Sequence, residues 1–478
     1  MKKTFIWLSV IYCVSLIAIL RANFDYIDDM GRVLTGSKGW SFYSRFVTDF
    51  LSTFIHADNY LSDISPLTQI MAALIMALAG AVSVEILADD DCSPFWGAVS
   101  MIPLALSPYF LQCFSYKYDS PYMAMSVLFS VAPVLVFIKH TKKYRFCVYT
   151  LSALAGTLLV CTTYQAASGI FPMLCIAYAL KMWNEKVSIS HIVKFVLCSV
   201  AGYLLALIVF RLFIVIPVDF YASTDLVSVS SFIPSIFKNL TTYFGVILAD
   251  FRSLWLLVIA VICVLFIFAN IIKTKRSRLA AIFLSLTCLL LMAIVSFGAY
   301  LALSKPLFDP RGMYGFGAFI AFLSVSVVCI NKPYIKYSRY ACAVLGWMFI
   351  VFAFTYGNAL SQQKDYTEFR ISQVVNSLNS LDVMDNGKTK TIEISGTEGY
   401  APAVEHQPSQ YRMLRDLVPV LFSEDRSWGY TMLLNNYGLS CLEQHPEKDL
   451  AEMDLPVLVD NQLHTIKGDD ENILIILK

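Results

Sequence analysis

The sequence predicts an α-helical polytopic membrane protein of about eleven transmembrane helices, closed by a small α/β domain at its C-terminus. Three observations carry that expectation. Of 478 residues, 57% are hydrophobic and 15% charged, and the mean hydropathy is +0.63; a soluble domain carries roughly a quarter charged residues. Apolar runs of about 20 residues, enough to cross a bilayer, recur along the chain. From Ser361 onward the composition changes, with about twice as many acidic as basic residues and only short apolar runs. A formal net charge of +1 excludes a strongly basic nucleic-acid binder. The twelve cysteines form no CxxC pair and no zinc-like cluster, and most lie singly in apolar runs, where Cys acts as a small hydrophobe. Cys441 is alone in the polar tail, so no disulfide forms within it.

The candidate spans are 4–22, 66–88, 94–113, 121–139, 146–163, 165–182, 191–216, 251–272, 279–303, 313–330 and 340–360. The first follows Met1-Lys2-Lys3 but ends in "AILRANF", with Leu and Arg where a signal-peptide cleavage site requires small residues. It therefore reads as a retained helix. With the N-terminus inside, every basic cluster falls on one side: Lys2 and Lys3; Lys139, Lys142, Lys143 and Arg145; Lys181 and Lys186; "KTKRSR" at 273–278; Lys332, Lys336 and Arg339. That asymmetry sets the N-terminus in the cytoplasm and the C-terminal tail outside. The acidic loop "ADDDCSP" at 88–94 has no vote in this rule, and its Asp triplet reads as a solvated loop. A nucleotide-sugar transferase would need a soluble domain that no cytoplasmic loop is long enough to form.

The outer side then holds loop one (23–65), "SYKYDSP" at 115–121, a long segment around 217–250, "SKPLFDPRGMYG" at 304–315 and the tail. In loop one, "WSFYSRFVTDFLSTFI" at 40–55 spaces Phe42, Phe46, Phe50 and Phe54 four apart. They make one face of an amphipathic helix, suited to the membrane interface or to packing on the bundle. In the tail, "TKTIEISG" (389–396) and "ENILIILK" (471–478) read as strands, and 361–381 and 409–422 as helices. No nucleophile elbow, P-loop or dinucleotide fingerprint occurs there.

Chemistry-bearing side chains gather in the outer loops. "NFDYIDDMGR" (23–32) sets Asp25, Asp28 and Asp29 at the edge of the first apolar run. Carboxylates are costly to desolvate there and mark sites; the plain alternative is a solvated helix start with an Asp–Arg pair to Arg32. The functional alternative is a general base with a second acid that orients an acceptor or a metal. "YKYDSP" offers Lys117 for a phosphate and Asp119 for a sugar hydroxyl, or else Asp119 and Ser120 cap the helix that Pro121 opens. Lys305, Asp309 and Arg311 share a Pro- and Gly-bounded loop, where Arg suits bidentate phosphate contact and an ordinary Asp–Arg turn is the alternative. Arg45 is a further cation near lipid headgroups, with snorkelling as its plain alternative. Of six scattered histidines only His56 lies near these loops, and it takes no role.

An N-terminal helix ending in an external acidic pair, amphipathic helices in loop one, many further spans and an outer C-terminal domain resemble the membrane glycosyltransferases of the GT-C fold. More closely, "NFDYIDDMGRV" and "SYKYDSPYMAMSVL" resemble the bacteriophage-encoded, serotype-converting O-antigen glucosyltransferases of enteric bacteria. The resemblance covers most of the membrane region and only weakly the tail. It implies glucose transfer from undecaprenyl-phosphate-glucose to the O-antigen repeat of lipopolysaccharide, at the periplasmic face of the inner membrane, with inversion at the anomeric carbon. It implies Asp28 as base with Asp29 beside it. Lys117, Arg311, Arg45 and Lys305 then serve the donor phosphate, and Asp25, Tyr118 and Asp119 the acceptor or sugar. The wider family often uses a divalent metal; the clustered acids here are too few to assign one, and no cofactor is assigned. The tail, net negative and on the same side, goes to the acceptor side or to shielding the site, the alternative being a folding cap. A transporter or flippase of lipid-linked sugars is the rival class, and would show internal repeats and mid-membrane charges. An acyltransferase would show an external or intramembrane histidine.

Overall fold

The structure is a computed structural model and describes residues 1–140, 143–219, 223–251, 253–330, 336–381, 384, 387–406, 411–445 and 448–478. Lys142, Lys332 and positions 409–410 of the expectations above lie outside the described residues. The chain divides into two compact units. One comprises Met1–Ile17, Lys38–Asn59 and Ile64–Phe354; the other comprises Ala18–Ser37, Tyr60–Asp63 and Thr355–Lys478.

Among the described residues nine helices are long and apolar enough to cross a membrane. The number rises to ten if Pro94–Leu106 and Pro108–Ser115, bent by 65°, form one span. The chain is a multi-pass membrane protein. The bend has a local cause: Ser107 precedes a proline and takes ψ 141°, outside the helical region that the proline ring disfavours for its predecessor. Helices in the first unit approach closely where a side chain is missing. A Cβ on Gly156 would meet Pro133 Cγ at 2.7 Å and the Phe129 carbonyl at 2.8 Å, so helix Arg145–Thr163 can lie against helix Ser120–Lys139.

One end of the first unit collects the basic clusters. Glu85 takes the N-terminal ammonium at 3.3 Å and Lys139 at 2.7 Å, while Asp89 pairs with Lys273 at 2.8 Å. Lys181 donates to the Ile86 and Ala88 carbonyls that close helix Leu67–Leu87, and Arg276 to those of Trp183 and Val187. Cations at helix C-termini satisfy carbonyls that have no intrahelical donor. The Asp triplet is thus not wholly solvated, since Asp89 is ion-paired.

Several boundaries differ from the sequence expectation. The first apolar run breaks at Leu16 into Lys2–Ser15 and Ile17–Ala22. The expected 279–303 span stops at Val295. The expected 340–360 span and the tail helix at 361–381 are one continuous helix, Arg339–Asn379; after Gly357 no Gly or Pro interrupts it. The expected helix at 409–422 is reduced to a single turn, Leu414–Leu417, with Pro419 close behind. Conversely, a helix at Phe232–Asp250 occupies what read as loop, its Pro234 tolerated in the first turn.

In the second unit the tail forms a five-stranded sheet: β1 (Lys390–Ser395), β2 (Leu442–Glu443), β3 (Val457–Asp460), β4 (His464–Gly468) and β5 (Asn472–Leu477), in the order β2-β1-β5-β4-β3. β1 runs parallel to β2 and β5, and the β3–β4–β5 portion is antiparallel. The run "NILIIL" is apolar on both faces because β5 is central and covered on both sides. Both expected tail strands, at 389–396 and 471–478, are present.

Candidate functional site

At the end of the first unit opposite the basic clusters, loop one supplies a short 3-10 turn, Trp40–Tyr43, then helix Phe46–Ile55. The two are separated at Ser44, whose φ is +61°. That left-handed kink is held by the Ser44 hydroxyl, which accepts the Ile216 N–H at 2.7 Å. Phe42, Phe46, Phe50 and Phe54 all point outward, 41–73% exposed, so the expected apolar face exists although the helix is interrupted.

The kink delivers Arg45 to an aromatic bed. Its guanidinium lies 4.5 Å from the Tyr164 ring centroid and 5.4 Å from that of Tyr43. Nε donates to Gln165 Oε1 at 3.4 Å, and Gln165 in turn donates to the Tyr43 carbonyl at 3.1 Å. Nη1 and Nη2 meet no carboxylate among the described residues. A half-buried guanidinium so placed attracts an anion, since it has left much of its water without gaining a counter-charge.

Arg311 reaches the same place from the far side of the sequence. Its backbone N–H donates to Gln112 Oε1 at 2.6 Å, its Nη1 to the Tyr116 hydroxyl, and its Nη2 lies 3.6 Å from Asp309. The short helix Pro310–Met313 that carries Arg311 packs against Gln165–Gly169, and the Tyr164 and Tyr314 rings stack at 6.2 Å. Residues 45, 164 and 311 are thus brought together. Lys117, Tyr118 and Asp119 are buried in the turn before helix Ser120–Lys139. Asp119 does not cap that helix through its side chain: its Oδ1 accepts the Trp40 indole N–H at 2.5 Å. Tyr118 stacks on His56 at 5.9 Å. Lys305, exposed, pairs with the equally exposed Asp219 at 2.8 Å, which neutralises it.

The second unit carries the acids. Residues 23–26 are not helical; helix Asp29–Thr35 starts only after a turn in which Ile27 has φ +47°. Asp25 is half-buried and off the helix, so the three acids do not share a helical face. Asp29 is fully buried; its Oδ2 accepts the Tyr26 N–H at 3.1 Å and its Oδ1 lies 4.0 Å from Arg32. Asp28, at the N-cap, is half-buried and its carboxylate makes no cap hydrogen bond. Asp29 is committed to the fold of the turn and Asp28 is not. Among the described residues no three His, Cys, Asp or Glu side chains are grouped to hold a metal ion.

Tyr164, Gln165, Gln112 and Trp40 belong to these arrangements, yet nothing local singles them out. Each acts on a partner 79 to 199 residues away.

A multi-pass bundle with its basic clusters at one end and an aromatic-bedded pair of arginines at the other defines a polytopic membrane protein. The chain belongs to a known family of such proteins, described as glucosyl transferase GtrII, whose family model matches residues 17–322. It is 26% identical, over 90% of its length and 89% of the relative's, to an uncharacterized 55.3 kDa protein in the gtrB 5′ region of Salmonella phage P22. No solved structure matches the chain. The likeness to phage serotype-converting glucosyltransferases, drawn above from two motifs, is borne out, and the chain is a membrane glycosyltransferase.

Proposed function

We propose that this protein transfers glucose from undecaprenyl-phosphate-glucose to the O-antigen repeat of lipopolysaccharide at the periplasmic face of the bacterial inner membrane. The acceptor hydroxyl oxygen bonds to the anomeric carbon as the bond from that carbon to the phosphate oxygen breaks. The electron pair leaves with the lipid phosphate, and the configuration inverts. Asp28 takes the hydroxyl proton; Arg45, Arg311 and Lys117 stabilise the departing phosphate. Asp25 and the Tyr118–Asp119 turn serve sugar recognition. Lys305, neutralised by Asp219, takes no share.

The observation that carries this proposal is the Arg45 guanidinium, seated on Tyr164 and without a carboxylate among the described residues. A lipid phosphate keeps its tail in the bilayer, so its charge arrives at helix ends, where these cations lie.

The proposed topology has eleven crossings, with the N-terminus cytoplasmic and the tail periplasmic. Helix Phe232–Asp250 is then not a crossing, because its contacts along its length stay with segments away from the basic end. Asn239 donates to the Leu301 and Leu303 carbonyls, Tyr243 meets Ser296, and Asp250 accepts from Tyr109. The bent pair Pro94–Leu106 and Pro108–Ser115 taken as one crossing, the broken N-terminal helix and the short helix Gly315–Val328 complete the count.

The test supplies membranes containing the protein with O-antigen acceptor and either undecaprenyl-phosphate-glucose or a nucleotide-activated glucose. Glucosylation with the lipid donor alone supports the proposal. Glucosylation with the nucleotide sugar alone, or movement of the lipid-linked sugar across the membrane without transfer, refutes it.

A further inference from the structure

The acidic turn and the C-terminal tail fold as one unit, and the contact between them is reciprocal. A Cβ on Gly31, in helix Asp29–Thr35, would meet Met432 Sδ at 3.0 Å; a Cβ on Gly429, in helix Ser427–Asn436, would meet Met30 Cε at 2.9 Å. Each helix thus receives the other's methionine over its own glycine. The Tyr26 hydroxyl donates to the Leu417 carbonyl at 2.8 Å, and Tyr356 donates to the same oxygen at 3.1 Å. From the other side Lys364 holds the Asn23 carbonyl at 3.0 Å and Arg21 holds Asn358 at 2.5 Å.

Between these grips lies Ile27, with φ +47°. A β-branched residue is a true outlier in that region, and such strain persists only where surrounding contacts over-determine it. The residue after it is Asp28.

We infer that the C-terminal domain is a positioning clamp for Asp28: through Met432 and Leu417 it holds the Tyr26–Asp29 turn in its strained form, and so sets the direction of the Asp28 carboxylate. This rests on the role proposed above for Asp28. It gives the tail a task that a folding cap or a purely acceptor-binding domain would not have. Met432 is a positioning residue, since it packs over Gly31 in the helix that leaves the turn and not on the base.

The test is Met432→Ala, alone and combined with Ile27→Gly, in the full-length protein. Met432→Ala removes packing without a clash. The turn should relax, with glucosyl transfer falling roughly 10- to 100-fold in kcat while KM for the lipid donor stays unchanged. Glycine adopts positive φ without steric cost, so adding Ile27→Gly should restore most of the lost kcat. A merely structural contact would not be rescued at a position that Met432 does not touch. Backbone amide exchange at Asp29 and Met30 supplies a readout independent of catalysis: it should quicken in Met432→Ala and return toward wild type in the double variant. Wild-type kcat and exchange in Met432→Ala overturn the clamp, as does a loss that Ile27→Gly leaves unrepaired. If wild-type protein transfers no glucose, the proposed function fails, and the exchange measurement still decides the clamp.

Discussion

The Arg45 guanidinium lies 4.5 Å from the centre of the Tyr164 ring, with Gln165 fixing its Nε and its two terminal nitrogens meeting no carboxylate among the described residues. A planar cation on a planar ring has one orientation to offer a phosphate. Arg45→Met should raise KM for the lipid donor about tenfold or more, the cost of one charge-assisted contact, and leave KM for the acceptor unchanged. Arg45→Lys should recover only part of the loss, because an ammonium neither stacks nor bonds bidentately. Steady-state kinetics with donor and acceptor varied in turn would check both.

Lys305 gives the contrasting case. Its ion pair with Asp219 is exposed on both sides, and such pairs contribute about 1 kcal/mol or less. Lys305→Met should leave donor KM within about twofold of wild type. A large rise would return Lys305 to the phosphate site.

The tail holds a carboxyl whose titration is displaced. Glu398 is 3% exposed, and burial pushes its pKa up to about 7, against hydrogen bonds from Thr367 and the Phe422 amide and the nearby Arg370 charge, which pull it down. Its ordinary value is 4.5, so between that pH and about 7 the folded state binds more protons than the unfolded one. Stability should therefore fall as pH rises through this window and level off above it, by roughly 3 kcal/mol at most. Glu398→Gln should abolish that slope in melting curves taken from pH 4.5 to 8. A slope unchanged in Glu398→Gln would assign it to another group.

How much of this was legible in the sequence follows from the range of each signal. Apolar runs and the basic asymmetry are local patterns, so most of the long spans were placed and the basic clusters do gather at one end. The β1 and β5 strands were legible for the same reason. Helix Phe232–Asp250 was not, because polar residues such as Lys238, Asn239 and Thr241 interrupt its apolar run. The Phe42–Phe54 face was legible, but not the kink at Ser44, which depends on Ile216. At the site, the sequence named Arg45 and Arg311 separately; their meeting around Tyr164 depends on three segments far apart in the chain. It also treated Asp28 and Asp29 as a pair. Only the turn at Ile27 separates them, by burying Asp29 under the Tyr26 amide and leaving Asp28 uncommitted.

That separation is itself open to test. Asp29→Asn should weaken the turn, at a cost of about 1–3 kcal/mol for the disturbed buried hydrogen bonds, and lower the thermal midpoint. Asp28→Asn should leave the midpoint close to wild type. Equal midpoints for the two variants would deny Asp29 its structural role.

Asp28 is proposed as the base of a lipid-donor glucosyltransferase. The most direct measurement of that role is the single-turnover rate of glucose transfer from undecaprenyl-phosphate-glucose to O-antigen by Asp28→Asn protein, at matched membrane expression and with donor binding measured in parallel. Asn keeps the size and hydrogen bonding of Asp but cannot take the proton, so the rate should fall by roughly 10²-fold or more with donor affinity intact. A rate near that of wild type would remove Asp28 from that role.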